Sequence, residues 1–203
     1  INLLAMYQRD GLNYAKHLFD IKADFKADTA KKAMIITLST IDDAPIYYTL
    51  DGSEPTTASQ KYAGPIPIHS SIDFHAIAVR QGSEGKMVAK QISFSKATLA
   101  PIVLTTTQPA PNYTFGGATT LVDGITGNEN FSTGSWLGFL GEDVTAIIDL
   151  GQPMDIKQLD VNAMTYMDAW IMGIIQLDIS VSDDNKKFVE VASREFISET
   201  DIK

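Results

Sequence analysis

PIYYTLDGSEPTTASQKYAGPIPIHSSIDFHAIAVR, residues 45–80, decides the fold class. Ile46, Tyr48 and Leu50 alternate with Tyr47 and Thr49, the period of a strand with one face buried. The run stops at Asp51-Gly52, where a turn costs least, and Pro55 bars a simple return strand. Alternation resumes at Ile66 and Ile68, and residues 74–79 form another strand before Gly82 and Gly85 turn the chain again. These signals predict a small antiparallel sandwich. Upstream, Met34, Ile36 and Leu38 share one face of a strand; downstream, residues 87–94 are placed to pair with 74–79. About seven short strands suit an immunoglobulin-like sandwich.

The order Tyr48-Thr49-x-Asp51-Gly52-Ser53-x-Pro55-Thr56, then Ser59, Tyr62, Pro65-Ile66 and the strand Ala76-Ile77-Ala78, resembles the C-terminal β-sandwich module of chitobiases and other bacterial β-N-acetylhexosaminidases. Before it, Leu3, Leu4 and Tyr7 lie at helical spacing and Gly11 sits where a left-handed cap would end the helix. The following Gly11, Leu12, Asn13 and Tyr14 are similar to the end of the last barrel helix in family 20 glycoside hydrolases. The resemblance implies that residues 1–15 end a catalytic-barrel helix, that 16–100 form the sandwich, and that the parent enzyme is exported by a signal lying upstream, to the periplasm or cell surface.

The 203 residues divide by charge. Residues 1–100 carry 11 Lys/Arg against 10 Asp/Glu, net +1, whereas 101–203 carry 5 against 15, net −10, which together make the net −9. An acidic half repels phosphate backbones and anionic lipid surfaces, which excludes nucleic acid as a partner class. Cysteine is absent, which removes thiol nucleophiles, disulfides and cysteine-ligated metals. No apolar run reaches the length of a membrane span. The Thr- and Pro-rich stretch 101–111 is the candidate linker.

Glycines punctuate the second half so densely that only short strands with long loops are expected; 145–150, 159–161 and 177–181 alternate, and Ser182-Asp183-Asp184-Asn185 reads as a turn. Ala118-Thr119-Thr120-Leu121-Val122-Asp123-Gly124, Trp136, Asp149-Leu150-Gly151, Trp170-Ile171, and Ile179-Ser180-x-Ser182-x-Asp184 leading into Lys187-Phe188 resemble the discoidin, or factor 5/8 type C, jelly-roll domains, which include family 32 carbohydrate-binding modules. That resemblance implies an all-β chain: an immunoglobulin-like sandwich, then a discoidin-like domain over 112–203 that lacks the closing strands of its relatives.

Family 20 hydrolases use an adjacent Asp-Glu pair, with the substrate's own acetamido group as nucleophile. The chain contains no Asp-Glu dipeptide; Glu142-Asp143 is the reverse order in a glycine-flanked loop and reads as a solvated turn. His17, His69 and His75 have no metal-ligand spacing, and no nucleophile elbow or phosphate loop occurs. The expectation is a non-catalytic accessory region of a β-N-acetylhexosaminidase, a spacer plus a module for glycans ending in N-acetylhexosamine or galactose. The rival is a purely structural role beside the barrel.

A sugar site needs flat apolar faces with polar groups beside them. Tyr166 and Asp168, with Asn128, Asn130 and Trp136, are the candidates, and Tyr113 and Phe131 lie in neighbouring loops. The competing reading packs Trp136 and Trp170 as core anchors of strand ends. Asp123 and nearby carbonyls are the candidate calcium ligands, as the resemblance implies, although Asp-Gly is also an ordinary turn. Met154, Met164, Met167 and Met172 read as core filler.

Overall fold

The computed structural model describes residues 6–7, 9–12, 19–41, 43–80 and 82–196. The readings that fall on Leu3, Leu4, Asn13, Tyr14, His17, Asp42 and Gln81 lie outside the described residues. The chain is all-β apart from short helical turns, and it divides into two compact units, Ile1–Phe94 and Ser95–Lys203.

In the first unit the N-terminal helix ends where its glycine puts it. Gly11 takes φ +65° and the Leu12 N–H reaches the Tyr7 carbonyl at 2.9 Å, the long backbone bond of a left-handed helix cap. Among the described residues eight strands follow: β1 (Lys22–Asp28), β2 (Ala33–Ser39), β3 (Ile46–Thr49), β4 (Gln60–Lys61), β5 (Ile66–Ile68), β6 (Ile72–Arg80), β7 (Ser83–Glu84) and β8 (Val88–Ile92). One sheet runs β1-β2-β5; the other runs β4-β3-β6, with β7 and β8 both on the far edge of β6. All pairings are antiparallel.

The inward residues come from the alternation seen in the sequence. Met34, Ile36 and Leu38 of β2 face Ile46 and Tyr48 of β3, Ile68 of β5, Phe74 and Ala76 of β6 and Ile92 of β8 in one buried set. Phe74 bridges the two sheets, edge-on to Phe25 of β1 with ring centres 5.8 Å apart and beside Tyr48 at 6.1 Å. Strand β1 escapes the sequence reading, whose most upstream strand is the one carrying Met34, Ile36 and Leu38. Its sequence, Lys-Ala-Asp-Phe-Lys-Ala-Asp, is mostly polar, and its apolar residues Ala23, Phe25 and Ala27 are only half-buried.

The Tyr-Thr-x-Asp-Gly-Ser motif is the turn after β3. The Asp51 carboxylate accepts the Ser53 hydroxyl at 2.6 Å and the Ser53 N–H at 3.1 Å, while Thr49 Oγ1 donates to the Ser53 carbonyl at 2.5 Å. Gly52 sits at φ +78°, and a Cβ there would come within 2.8 Å of Asp73 Oδ2, so two constraints fix glycine at this position. Its N–H donates to the Asp73 carbonyl at 2.8 Å, tying the turn to β6. The Ser53 hydroxyl and then its N–H hold the Asp51 carboxyl below its ordinary value.

Among its described residues the second unit has four strands in two antiparallel pairs: β9 (Ile102–Leu104) with β10 (Ala146–Ile148), and β11 (Gln176–Val181) with β12 (Val189–Glu195), the latter pair carrying a bulge after Ile179. Three stretches depart from the sequence reading. Residues 102–104, inside the expected linker, are strand β9 with Leu104 buried. Residues 159–161 are irregular rather than extended in a sheet, since no strand pairs with them. Met167 and Met172 are exposed, not core filler.

Candidate functional site

The candidate site of the second unit is assembled from loops. A 3-10 turn, Pro111–Tyr113, opens on a proline, whose missing N–H costs nothing at a helical start. Ala110 donates to the Gly138 carbonyl at 2.8 Å, and Gly138 returns a 3.3 Å bond to Tyr113. A Cβ on Gly138 would lie 3.0 Å from that of Tyr113, so the small residue lets the two loops meet.

The loop 123–136 is held by its own side chains. Asn128 Oδ1 accepts the Asn130 N–H at 3.0 Å, and Asn130 Oδ1 accepts the Ser132 N–H at 3.0 Å and hydroxyl at 2.6 Å. Trp136 Nε1 donates to the Asn128 carbonyl at 2.8 Å. The indole lies flat over Gly127, where any Cβ would fall 2.2 Å from a ring carbon. Trp136 is therefore a half-buried anchor, and the amide oxygens of both asparagines are committed to the loop.

Tyr166 precedes the 3-10 turn Met167–Ala169, and it exchanges backbone bonds of 2.9 and 3.1 Å with Ile171 around that turn. This small closed loop presents Asp168 to solvent and leaves Trp170 85% exposed at φ +58°. The core reading of Trp170 is thereby corrected: a left-handed cap turns it away from the strands.

The loops bring four rings into one chain of contacts. Phe115 lies 6.5 Å from Tyr113, Tyr113 lies 6.4 Å from Phe131, and Phe131 lies 6.4 Å from Tyr166. Tyr113, Phe115 and Tyr166 are 38, 43 and 48% exposed. The first two contacts are edge-to-face at 62° and 60°, so these rings do not lie in one plane. Phe115 is the member that the sequence reading missed; Gly116 and Gly117 directly after it mark the tight turn that carries it, at φ +31°.

Asp123 lies after the 3-10 turn Gly117–Val122, where its Oδ1 accepts the Ile125 N–H at 2.7 Å. Among the described residues no three His, Asp or Glu side chains gather as metal ligands.

Other polar groups are structural in placement. His69 Nδ1 lies 3.2 Å from the Lys32 carbonyl, and His75 is half-buried with Nε2 3.8 Å from Asp73. Glu142 and Asp143 are exposed, and the Asp143 carbonyl accepts the Thr106 hydroxyl at 3.0 Å. No helix among the described residues is long and apolar enough to cross a membrane.

The family model described as Fn3 associated matches residues 36–92, which run from β2 through β8 of the first unit. No curated protein matches the chain.

Proposed function

We propose that the chain is a non-catalytic accessory region of an exported bacterial β-N-acetylhexosaminidase, a sandwich spacer followed by a module that holds the enzyme near glycans. The observation that carries the binding half is the run of contacting rings Phe115, Tyr113, Phe131 and Tyr166, three of them exposed, with Asp168 exposed in the short loop that Tyr166 opens. Partly open aromatic faces with a polar neighbour are what pyranose C–H groups and hydroxyls need. The match to the Fn3-associated model, a domain found in carbohydrate-active enzymes, supports the parent class. The motif resemblances narrow it to hexosaminidase and discoidin-like modules. A weakly binding module acts through effective concentration at the glycan surface rather than through affinity.

The edge-to-face packing of the rings favours one second reading, in which the cluster is a small structural core. Titration calorimetry with N-acetylglucosamine and with galactose, on the chain and on its Tyr166→Ala and Asp168→Ala variants, separates the two. Each substitution is expected to weaken binding by roughly 1–3 kcal/mol with stability changed by less than about 1 kcal/mol. Unchanged binding with a large fall in melting temperature selects the structural reading.

A further inference from the structure

At the open edge of the first unit's sandwich, β4 borders one sheet and β5 the other. Two open cavities of about 280 and 450 Å³ lie there and share Tyr48 and Gln60 in their walls. The first adds Thr49 and Asp51 from the motif turn; the second adds Lys61, Pro65 and Pro67 from the crossing between sheets. Tyr48 is 6% exposed, its ring is packed beside Phe74, and its hydroxyl makes no hydrogen bond among the described residues. Burial pushes the phenol's pKa up, so it is a neutral donor and acceptor. That hydroxyl is also absent from the fully buried unsatisfied atoms, of which His75 Nδ1 is the one found among the described residues. It is therefore the point at which a nearly buried side chain meets solvent.

We propose that this groove is a second sugar-binding site, taking a neutral polyhydroxylated ligand such as a terminal pyranose. The choice follows from the wall chemistry. Tyr48 and Gln60 each donate and accept, as sugar hydroxyls do, while Asp51 only accepts and Lys61 only donates. An anion is disfavoured at the Asp51 end and a cation at the Lys61 end. An added peptide strand is denied N–H donors at Pro65 and Pro67, whereas proline carbons offer the apolar wall that a sugar's C–H face uses. The proposal shares the sugar-binding theme of the function proposed above but rests on a different unit.

Titrating the full isotope-labelled chain with N-acetylglucosamine and with galactose, while following backbone amide shifts, tests it. At least one sugar is expected to shift Tyr48, Asp51, Gln60 and Lys61 saturably, and to do so equally in a Tyr166→Ala background. Tyr48→Phe is expected to weaken that response roughly fivefold, the effect of one neutral hydrogen bond, with an unchanged melting temperature because no protein partner is lost. Gln60→Ala, an exposed change that leaves the core intact, is expected to weaken it to a similar extent. Silence of these amides towards both sugars, or an undiminished response in both variants, overturns the proposal. Shifts confined to Tyr113, Phe131 and Tyr166 would sink the groove and leave the loop site standing, and shifts confined to the groove would do the reverse.

Discussion

Phe74 and Gly127 are the two residues whose surroundings allow the least change. Phe74 is fully buried and contacts rings from both sheets, so Phe74→Ala leaves a cavity at the sandwich centre. The loss expected in denaturant unfolding of the first unit is about 3–5 kcal/mol; a loss under about 1 kcal/mol would mean that the sheets collapse onto the gap. Gly127→Ala places a methyl inside the Trp136 ring, so the indole must leave its seat and the Asn128 bond with it. Tryptophan fluorescence should shift to the red, and an unshifted spectrum would refute the packing. At exposed turns the effect is electrostatic. The N–H groups of Lys187 and Lys186, then the Ser182 hydroxyl, hold the Asp184 carboxyl below its ordinary 3.8, and Ser193 then Gln176 do the same for Asp178. A lowered folded pKa means that the charged form favours folding. This contribution is complete above the unfolded value and is lost as pH falls from there through the folded one. Melting temperature should therefore be insensitive to these groups above about pH 5 and fall below about pH 4, less steeply in Asp184→Asn. An identical acid slope in that variant would exclude the turn as a source.

At the scale of the element, the difference between central and edge strands governs protection. β2 lies between β1 and β5, and β6 between β3 and the β7/β8 edge, so both strands have neighbours on either side. β11 and β12 form an isolated pair, and β12 is exposed along its whole length. Hydrogen exchange should be slowest in β2 and β6 and fast in β12; equal protection of β12 and β6 would contradict this topology. The same contrast explains what was legible in the sequence. Strands β2, β3, β5 and β6 bury one face in a two-sheet core, and burial writes a period of two into Met34-x-Ile36-x-Leu38 and Ile46-x-Tyr48. An edge strand such as β1 has one neighbour and a mostly solvated surface, so Phe25 is almost its whole signal. Residues 159–161 alternate with nothing beside them, and alternation without a partner makes no sheet. In the candidate site, Tyr166, Phe131 and Tyr113 were readable as loop aromatics. Their mutual contact was not, because it depends on Gly138 admitting one loop against another, and on Phe115, whose place is set by backbone angles.

Across the whole molecule, burial is shared unequally. Leu99, Leu104, Pro109 and Val122 are the buried apolar residues found among the described part of the second unit, whereas the first unit holds the larger core, including Phe74, Met34, Ile36 and Ile92. Large side chains stay open to solvent in the second unit, among them Leu140, Trp170, Ile175, Val189 and Val191. Apolar area removed from water is the main favourable contribution to folding, at about 25 cal/mol per Å². A unit that leaves such residues exposed has less to set against its chain entropy. The negative charge concentrated in residues 101–203 adds repulsion within the same unit. The second unit should therefore melt first, and a fluorescent dye that binds exposed apolar surface should bind the chain before heating. Calorimetry can assign the transitions with the two core variants already described: Gly127→Ala should move the lower one and Phe74→Ala the upper one. If Gly127→Ala instead moved the higher transition, or if both variants displaced one common transition with no dye bound at the start, the unequal division of burial would not govern stability.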